Sequence, residues 1–255
     1  MKVAIFYTDH DNEWTKPYGN FVDMCSRLLN SSTREKEMEY IVYNSYGGEI
    51  PSYLELAEDG IDNILITGSR YDSFDRSKEW INKLRDLIYE IVVTNGNTSN
   101  IRLCGICFGH QIIANALNYE VKRNPLGDEF GLFEITLNET GLKLFEDIIE
   151  PGDNKLMLAE FHSDIVTCSK NTDGDDDRIE LENWGSTDKS PIQGFYLKNK
   201  LLTFQGHPEF TNEVVLNGLK FKVRDENKVK AGMAIEKNHG VSCNKIIMKL
   251  FEGKI

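Results

Sequence analysis

Cys107 sits in the run Gly105-Ile106-Cys107-Phe108-Gly109. Glycines flanking a nucleophile at this spacing suit an elbow where a strand turns sharply into a helix and lifts the reactive side chain to its tip, here with cysteine in place of serine. The backbone is strained at such a tip, and the neighbouring strand and helix approach too closely for side chains. The positive end of a helix beginning there favours a thiolate. The pentapeptide alone also fits a glycine-rich turn around an inert buried cysteine, and both readings stay open.

Far downstream stands Gln205-Gly206-His207-Pro208-Glu209. Proline restricts His207 to an extended backbone, so His207 and Glu209 can project toward one side. A carboxylate on one ring nitrogen fixes the imidazole tautomer and stabilises the imidazolium, leaving the other nitrogen to take a proton from a thiol. Alone, this tripeptide could be a loop histidine beside a surface glutamate. Taken with the elbow, it completes a thiol, a base and an orienting acid.

Other combinations compete. Cys104 and Cys107 form a C-x-x-C, the spacing of a dithiol or half a zinc site, but Cys104 falls within an expected strand and no second pair completes a metal site. His162 and Asp164 could be an acid/base pair or a loop pair satisfying its own backbone. Asp173-Gly174-Asp175-Asp176-Asp177 starts like a calcium loop yet lacks the spaced glycine and closing glutamate, and reads as solvated. His10 and His239 have no distinguishing partner in sequence.

The elements that must position these groups are legible in the hydrophobic pattern. Residues 3–7 form an apolar run, and after Gly19 the residues Phe21, Met24, Cys25, Leu28 and Leu29 share one helical face. Residues 40–43 and 64–67 read as further buried strands, and Trp80, Leu84, Leu87, Ile88 and Ile91 repeat with a helical period. Residues 102–106 form a short strand leading into Cys107, and residues 111–117 follow as helix. Strands alternating with helices imply βαβ units around a mostly parallel sheet. In the second half, Phe133, Ile135 and Leu137 alternate with Leu132, Glu134 and Thr136, suiting antiparallel or edge pairing. Residues 194–197 and 201–205 flank Lys198-Asn199-Lys200 as a hairpin, whose second strand delivers His207. Residues 214–234 and 244–251 look helical. The expectation is one α/β domain over residues 1–255, with a mixed, mostly parallel central sheet flanked by helices and a helical tail from about residue 212.

The motif Gly105-x-Cys107-x-Gly109-x-Gln111, followed by Gly206-His207-Pro208-Glu209, resembles the class I, triad-type glutamine amidotransferases. The segments Ile66-Thr67-Gly68-Ser69 and Phe161-His162-Ser163-Asp164 fall where that family keeps its oxyanion loop and a substrate-side loop. The likeness covers roughly residues 1–215 and extends to fungal stand-alone members and plant γ-glutamyl peptidases. It implies a flavodoxin-like three-layer sandwich. It also implies Cys107 as nucleophile, His207 as base and Glu209 as third member, with backbone N–H groups near Gly68 and at Phe108 as oxyanion hole. Ser69, Gln111, His162 and Ser163 would then face the substrate, with Gln111 holding the glutamyl head. The family's synthetase module is not in this sequence, nor is a G-x-x-x-x-G-K phosphate loop. The expected activity is therefore hydrolysis of γ-glutamyl amides such as glutathione-like peptides; a glutaminase feeding a separate synthetase is the alternative, and a non-catalytic binder or dithiol protein ranks below both. Neither a metal nor an organic cofactor is required by this chemistry.

Composition narrows the partners. The formal charge of −12, from 29 basic and 41 acidic side chains, repels nucleic acid and anionic membrane surfaces. No apolar run approaches the ~20 residues of a membrane span, and the first residues are apolar only until Asp9, too short for a signal peptide. Five cysteines, an odd number in a chain too long to need staples, point to free thiols in a reducing compartment. A cytosolic location is expected; oligomeric state is not legible.

Overall fold

The computed structural model describes residues 1–10, 12–31, 38–96, 98–170, 179–223, 225–233 and 237–255. In chain order the elements are β1 (Lys2–Tyr7), α1 (Phe21–Leu29), β2 (Glu39–Asn44), α2 (Tyr53–Glu58), β3 (Asn63–Ile66), α3 (Glu79–Tyr89), β4 (Arg102–Ile106), α4 (Phe108–Ala116), β5 (Tyr119–Arg123) and β6 (Glu129–Leu137). They continue with α5 (Glu139–Leu144), β7 (Lys155–His162), β8 (Asp164–Lys170), β9 (Glu182–Asn183), β10 (Gly185–Ser186), β11 (Phe195–Leu197), β12 (Leu201–Phe204), α6 (Asn212–Lys222), α7 (Glu226–Met233) and α8 (Asn244–Phe251). The acidic run 173–177 lies outside the described residues.

Seven strands form the central sheet in the order β2-β1-β3-β4-β12-β11-β9. From β2 through β12 every pairing is parallel, and β11 and β9 add an antiparallel edge. Alternation along each strand divides the apolar residues between two cores. Ala4 and Phe6 of β1, with Ile64 and Ile66 of β3, pack beneath α3 and α4; Val3, Ile5 and Leu65 pack on the other face against α1 and α8. Such strands must be apolar on both faces, which is why β1, β3 and β12 read as continuous runs. The layers are helix, sheet and helix. Behind the second face, antiparallel β6 and β7 contribute Ile135, Leu137, Leu156 and Leu158 to the same core.

Several expectations change in detail. The run 40–43 is a strand but not a buried one: among the described residues β2 pairs only with β1, and Val42 is 46% exposed at that edge. The helix after Cys107 begins at Phe108 rather than at residue 111. Leu132, on the polar phase of the β6 alternation, is buried with Leu219 of α6, because this end of β6 is covered on both sides. The helical stretch from residue 214 is broken by Val223, whose extended backbone separates α6 from α7. The first helix agrees fully. α1 buries Phe21, Met24, Cys25, Leu28 and Leu29, and a reciprocal capping box between Asn20 and Asp23 starts it.

Candidate active site

Parallel strands deliver four segments to one end of the sheet: residues after β1, β3, β4 and β12 all emerge at its carboxyl edge, where α/β sheets carry their sites. Cys107 is the turn residue between β4 and α4. Its backbone takes φ 52 and ψ −102, a region that costs an ordinary side chain of the order of 1–3 kcal/mol and persists only when its surroundings enforce it. The Cys107 N–H donates to Phe204 O on β12 at 2.8 Å, and the carbonyl accepts from Gln111 N at 3.0 Å. Helix and sheet are in near contact beside it. A Cβ on Gly109 would stand 2.3 Å from Ile66 O of β3, so only glycine lets α4 begin there.

His207 follows β12 and is held on every side. Its N–H donates to Ala159 O of β7 at 2.7 Å, and Nδ1 lies 2.7 Å from Glu209 Oε1 in a buried pair. The ring stacks on Phe210 at 4.1 Å between centroids and faces Phe21 of α1 at 6.2 Å. Gly68 closes in on it and on Cys107 together: a Cβ there would meet His207 Cε1 at 2.9 Å and Cys107 Cβ at 3.7 Å. Burial acts to lower the pKa of this imidazole. The charge of Glu209, the charge of Cys107 and hydrogen bonds to both outweigh it and raise the value to about 10. The Glu209 contact orients the ring from its Nδ1 side.

A cleft of about 170 Å³ opens over these groups and is lined by Ser69, Cys107, Gln111, His162, Ser163 and His207 among others. All four residues expected to face a substrate therefore share one space with the thiol and the imidazole. Phe108 does not line the cleft with its side chain. Its ring is buried against Trp80, while its N–H lies in the first turn of α4, where no intrahelical acceptor exists. Ser69 lines the cleft with its hydroxyl committed to the loop, donating to Thr8 O at 2.6 Å and accepting from Tyr71 N at 3.1 Å. The Gln111 amide nitrogen likewise spans Asp164 O at 3.2 Å and Gln205 Oε1 at 3.1 Å. Both tie loops together as they face the cleft.

His162 belongs to a buried charge cluster that the sequence did not disclose. Nε2 lies 3.1 Å from Glu129 Oε2 and 3.2 Å from Glu160 Oε2, close contacts at angles outside hydrogen-bond geometry. Nδ1 approaches Asp164 O at 2.9 Å, so this loop pair does engage its own backbone. Burial disfavours the charged ring, but Glu129 and Glu160 outweigh it and raise its pKa to about 10. The Asp164 carboxylate turns instead to Arg123 at 3.0 Å. Burial, partly offset by Arg123, raises the Asp164 pKa to about 6. Phe21, Phe210 and Arg123 are further residues of the cleft; of these, Phe210 was within reach of sequence reasoning, since it directly follows Glu209. Cys104, by contrast, is fully buried in β4, and burial with the charges of Glu209 and Cys243 pushes its thiol pKa far up.

A three-layer α/β sheet with thiol, imidazole and carboxylate at its carboxyl edge defines a class, and residues 25–220 match the family model of glutamine amidotransferase class-I. The chain belongs to that family. It is 41% identical to a putative glutamine amidotransferase of Saccharomyces cerevisiae over 263 residues, 100% of this chain and 98% of the relative. Gamma-glutamyl peptidase 2 of Arabidopsis thaliana is 28% identical over 221 residues, 84% of this chain and 78% of that protein. The fold is shared with a solved glutamine amidotransferase of Thermotoga maritima at a TM-score of 0.68, with 18% identity and 98% of both chains covered. No helix among the described residues is long and apolar enough to cross a membrane.

Proposed function

We propose that the chain hydrolyses γ-glutamyl amide bonds through a Cys107–His207–Glu209 triad, acting as a γ-glutamyl peptidase on glutathione-like peptides. The observation that carries this reading is the elbow at Cys107, strained at φ 52 beside an imidazole clamped to Glu209 at 2.7 Å. Cys107 sulfur attacks the γ-carbonyl carbon, and its proton resides on His207. The oxyanion is stabilised by backbone N–H groups at Gly68 and Phe108, donors of a kind worth ~3 kcal/mol each in related chemistry. His207 protonates the departing amine as the carbon–nitrogen bond breaks, leaving a γ-glutamyl thioester. Water, losing a proton to His207, then cleaves the thioester to glutamate and restores the thiol. Glu209 holds the ring through both half-reactions.

Ser163 and Gln111 would face the glutamyl head in this reading, with Ser69 and His162 shaping the same cleft. The relatives named γ-glutamyl peptidases support a peptide substrate, and the odd cysteine count supports a cytosolic setting. The relative named as an amidotransferase favours a second reading, a glutaminase that passes ammonia to a separate synthetase. A mass-spectrometric screen of purified protein against glutamine, glutathione and glutathione conjugates separates them. Glutamate released preferentially from the peptides is the expected result; a clear preference for glutamine would favour the ammonia-supplying reading.

A further inference from the structure

The cleft has two walls of different character. On the Gln111 side the charged groups satisfy one another: Arg123 pairs with Asp72 at 3.1 Å and with Asp164 at 3.0 Å, and Arg70 pairs with Asp9 at 2.9 Å. The other wall is aromatic. Trp14 and Phe161 stack at 5.5 Å, Phe130 lies 5.9 Å from Phe161, and Phe210 joins them at 5.7 Å. At the rim of this wall stands Lys222, exposed and lining the same cleft. Among the described residues no acidic side chain lies within ion-pair distance of it, so it is a cation still available to a ligand.

The backbone of Lys222 is anchored, although among the described residues its side chain has no ion-pair partner. It is the last residue of α6, whose Val214, Val215 and Leu219 are buried in the apolar cluster that contains Trp14 and Phe210. The helix is therefore packed onto the aromatic wall, and its end overhangs the cleft. An exposed, available cation is notable on a chain of net charge −12, because the surrounding field disfavours anions everywhere that no local positive charge opposes it. Lys222 also falls just beyond the residues matched by the family model, 25–220.

We infer that Lys222 selects the leaving group, holding the terminal carboxylate of a γ-glutamyl peptide whose body lies along the aromatic wall. The inference rests on the peptidase reading above and deepens it: the substrate class becomes γ-glutamyl compounds whose amine side ends in an anion. Contact with a remote carboxylate spends binding energy on orienting the scissile amide, an advantage that glutamine, with ammonia as leaving group, cannot draw on.

The test compares kcat/KM for glutathione and for its C-terminal amide, in the wild type and in Lys222→Gln, with γ-glutamyl-p-nitroanilide as a control for the underlying chemistry. The wild type is expected to prefer the free acid by about five- to tenfold, between the effect of an exposed ion pair and that of a buried charge-assisted hydrogen bond. Lys222→Gln should bring that ratio close to one, and Lys222→Arg should restore most of it. A merely structural role would change both substrates alike and leave the ratio intact, which overturns the inference. Equal wild-type rates on acid and amide, with the anilide cleaved, overturn it while the peptidase reading stands. If the wild type cleaves none of the three, the reading itself fails and takes the inference with it.

Discussion

At the scale of single residues, three side chains share the chemical labour unequally. Replacing Cys107 by serine or His207 by alanine removes the nucleophile or its proton carrier, and turnover should fall by about 1,000-fold or more with the fold retained. Glu209→Ala should be milder, because Phe210 still stacks on the imidazole at 4.1 Å and the His207 N–H remains tied to Ala159 O. Steady-state rates of the three variants, with circular dichroism to check folding, decide the order. Cys104→Ala makes the opposite prediction. That thiol is fully buried in β4 among apolar side chains, so activity should stay within about twofold of wild type. A loss matching that of Cys107→Ser would favour dithiol chemistry instead.

At the scale of elements, reactivity depends on how closely α4 approaches β3. The Gly109→Ala change places a Cβ against the Ile66 carbonyl, a backbone atom that cannot rotate away. Overpacking of this kind costs about 1–3 kcal/mol, and a shift near 1 Å at the elbow can cost about 100-fold in rate. The expected outcome is a variant that melts only slightly earlier but is nearly inactive, measured by thermal unfolding alongside turnover. This contact was visible in the sequence as a spacing of glycines. Much of the rest was legible for the same reason, namely that periodicity reports burial: α1 buries the five residues its pattern named, β4 spans the expected 102–106, and β11 and β12 form the expected hairpin. What escaped was non-local. The two-residue strands β9 and β10 have no period to read, the pairing of β5 with β8 joins distant segments, and β2 resembles a buried strand although its place at the sheet edge exposes it. The site divides along the same line. Cys107, His207 and Glu209 carry local spacing, whereas the Glu129–His162–Glu160 cluster and the Phe21 face of His207 exist only once the sheet is assembled.

At the scale of the whole molecule, that buried cluster links stability to pH. The His162 pKa is raised from near 6.5 to about 10 in the fold. A raised histidine contributes stability that is fully present below the unfolded value and is lost as pH rises through the folded one. Urea midpoints should therefore decline between about pH 6.5 and 10 in the wild type, with His162 and the similarly raised His207 both contributing, and His162→Gln should make that limb clearly shallower while lowering stability at neutral pH. An unchanged slope in the variant would show that this imidazole does not carry the proton assigned to it. The proposed chemistry, however, turns on a covalent species: a γ-glutamyl thioester on Cys107. The most direct measurement is mass spectrometry of protein quenched in acid during turnover of glutathione, followed by peptide mapping. The expected result is one added glutamyl group on the peptide containing Cys107, absent from Cys107→Ser and cleared when substrate is exhausted. Glutamate released at wild-type rates by Cys107→Ser, or a glutamyl adduct on any other side chain, would contradict it.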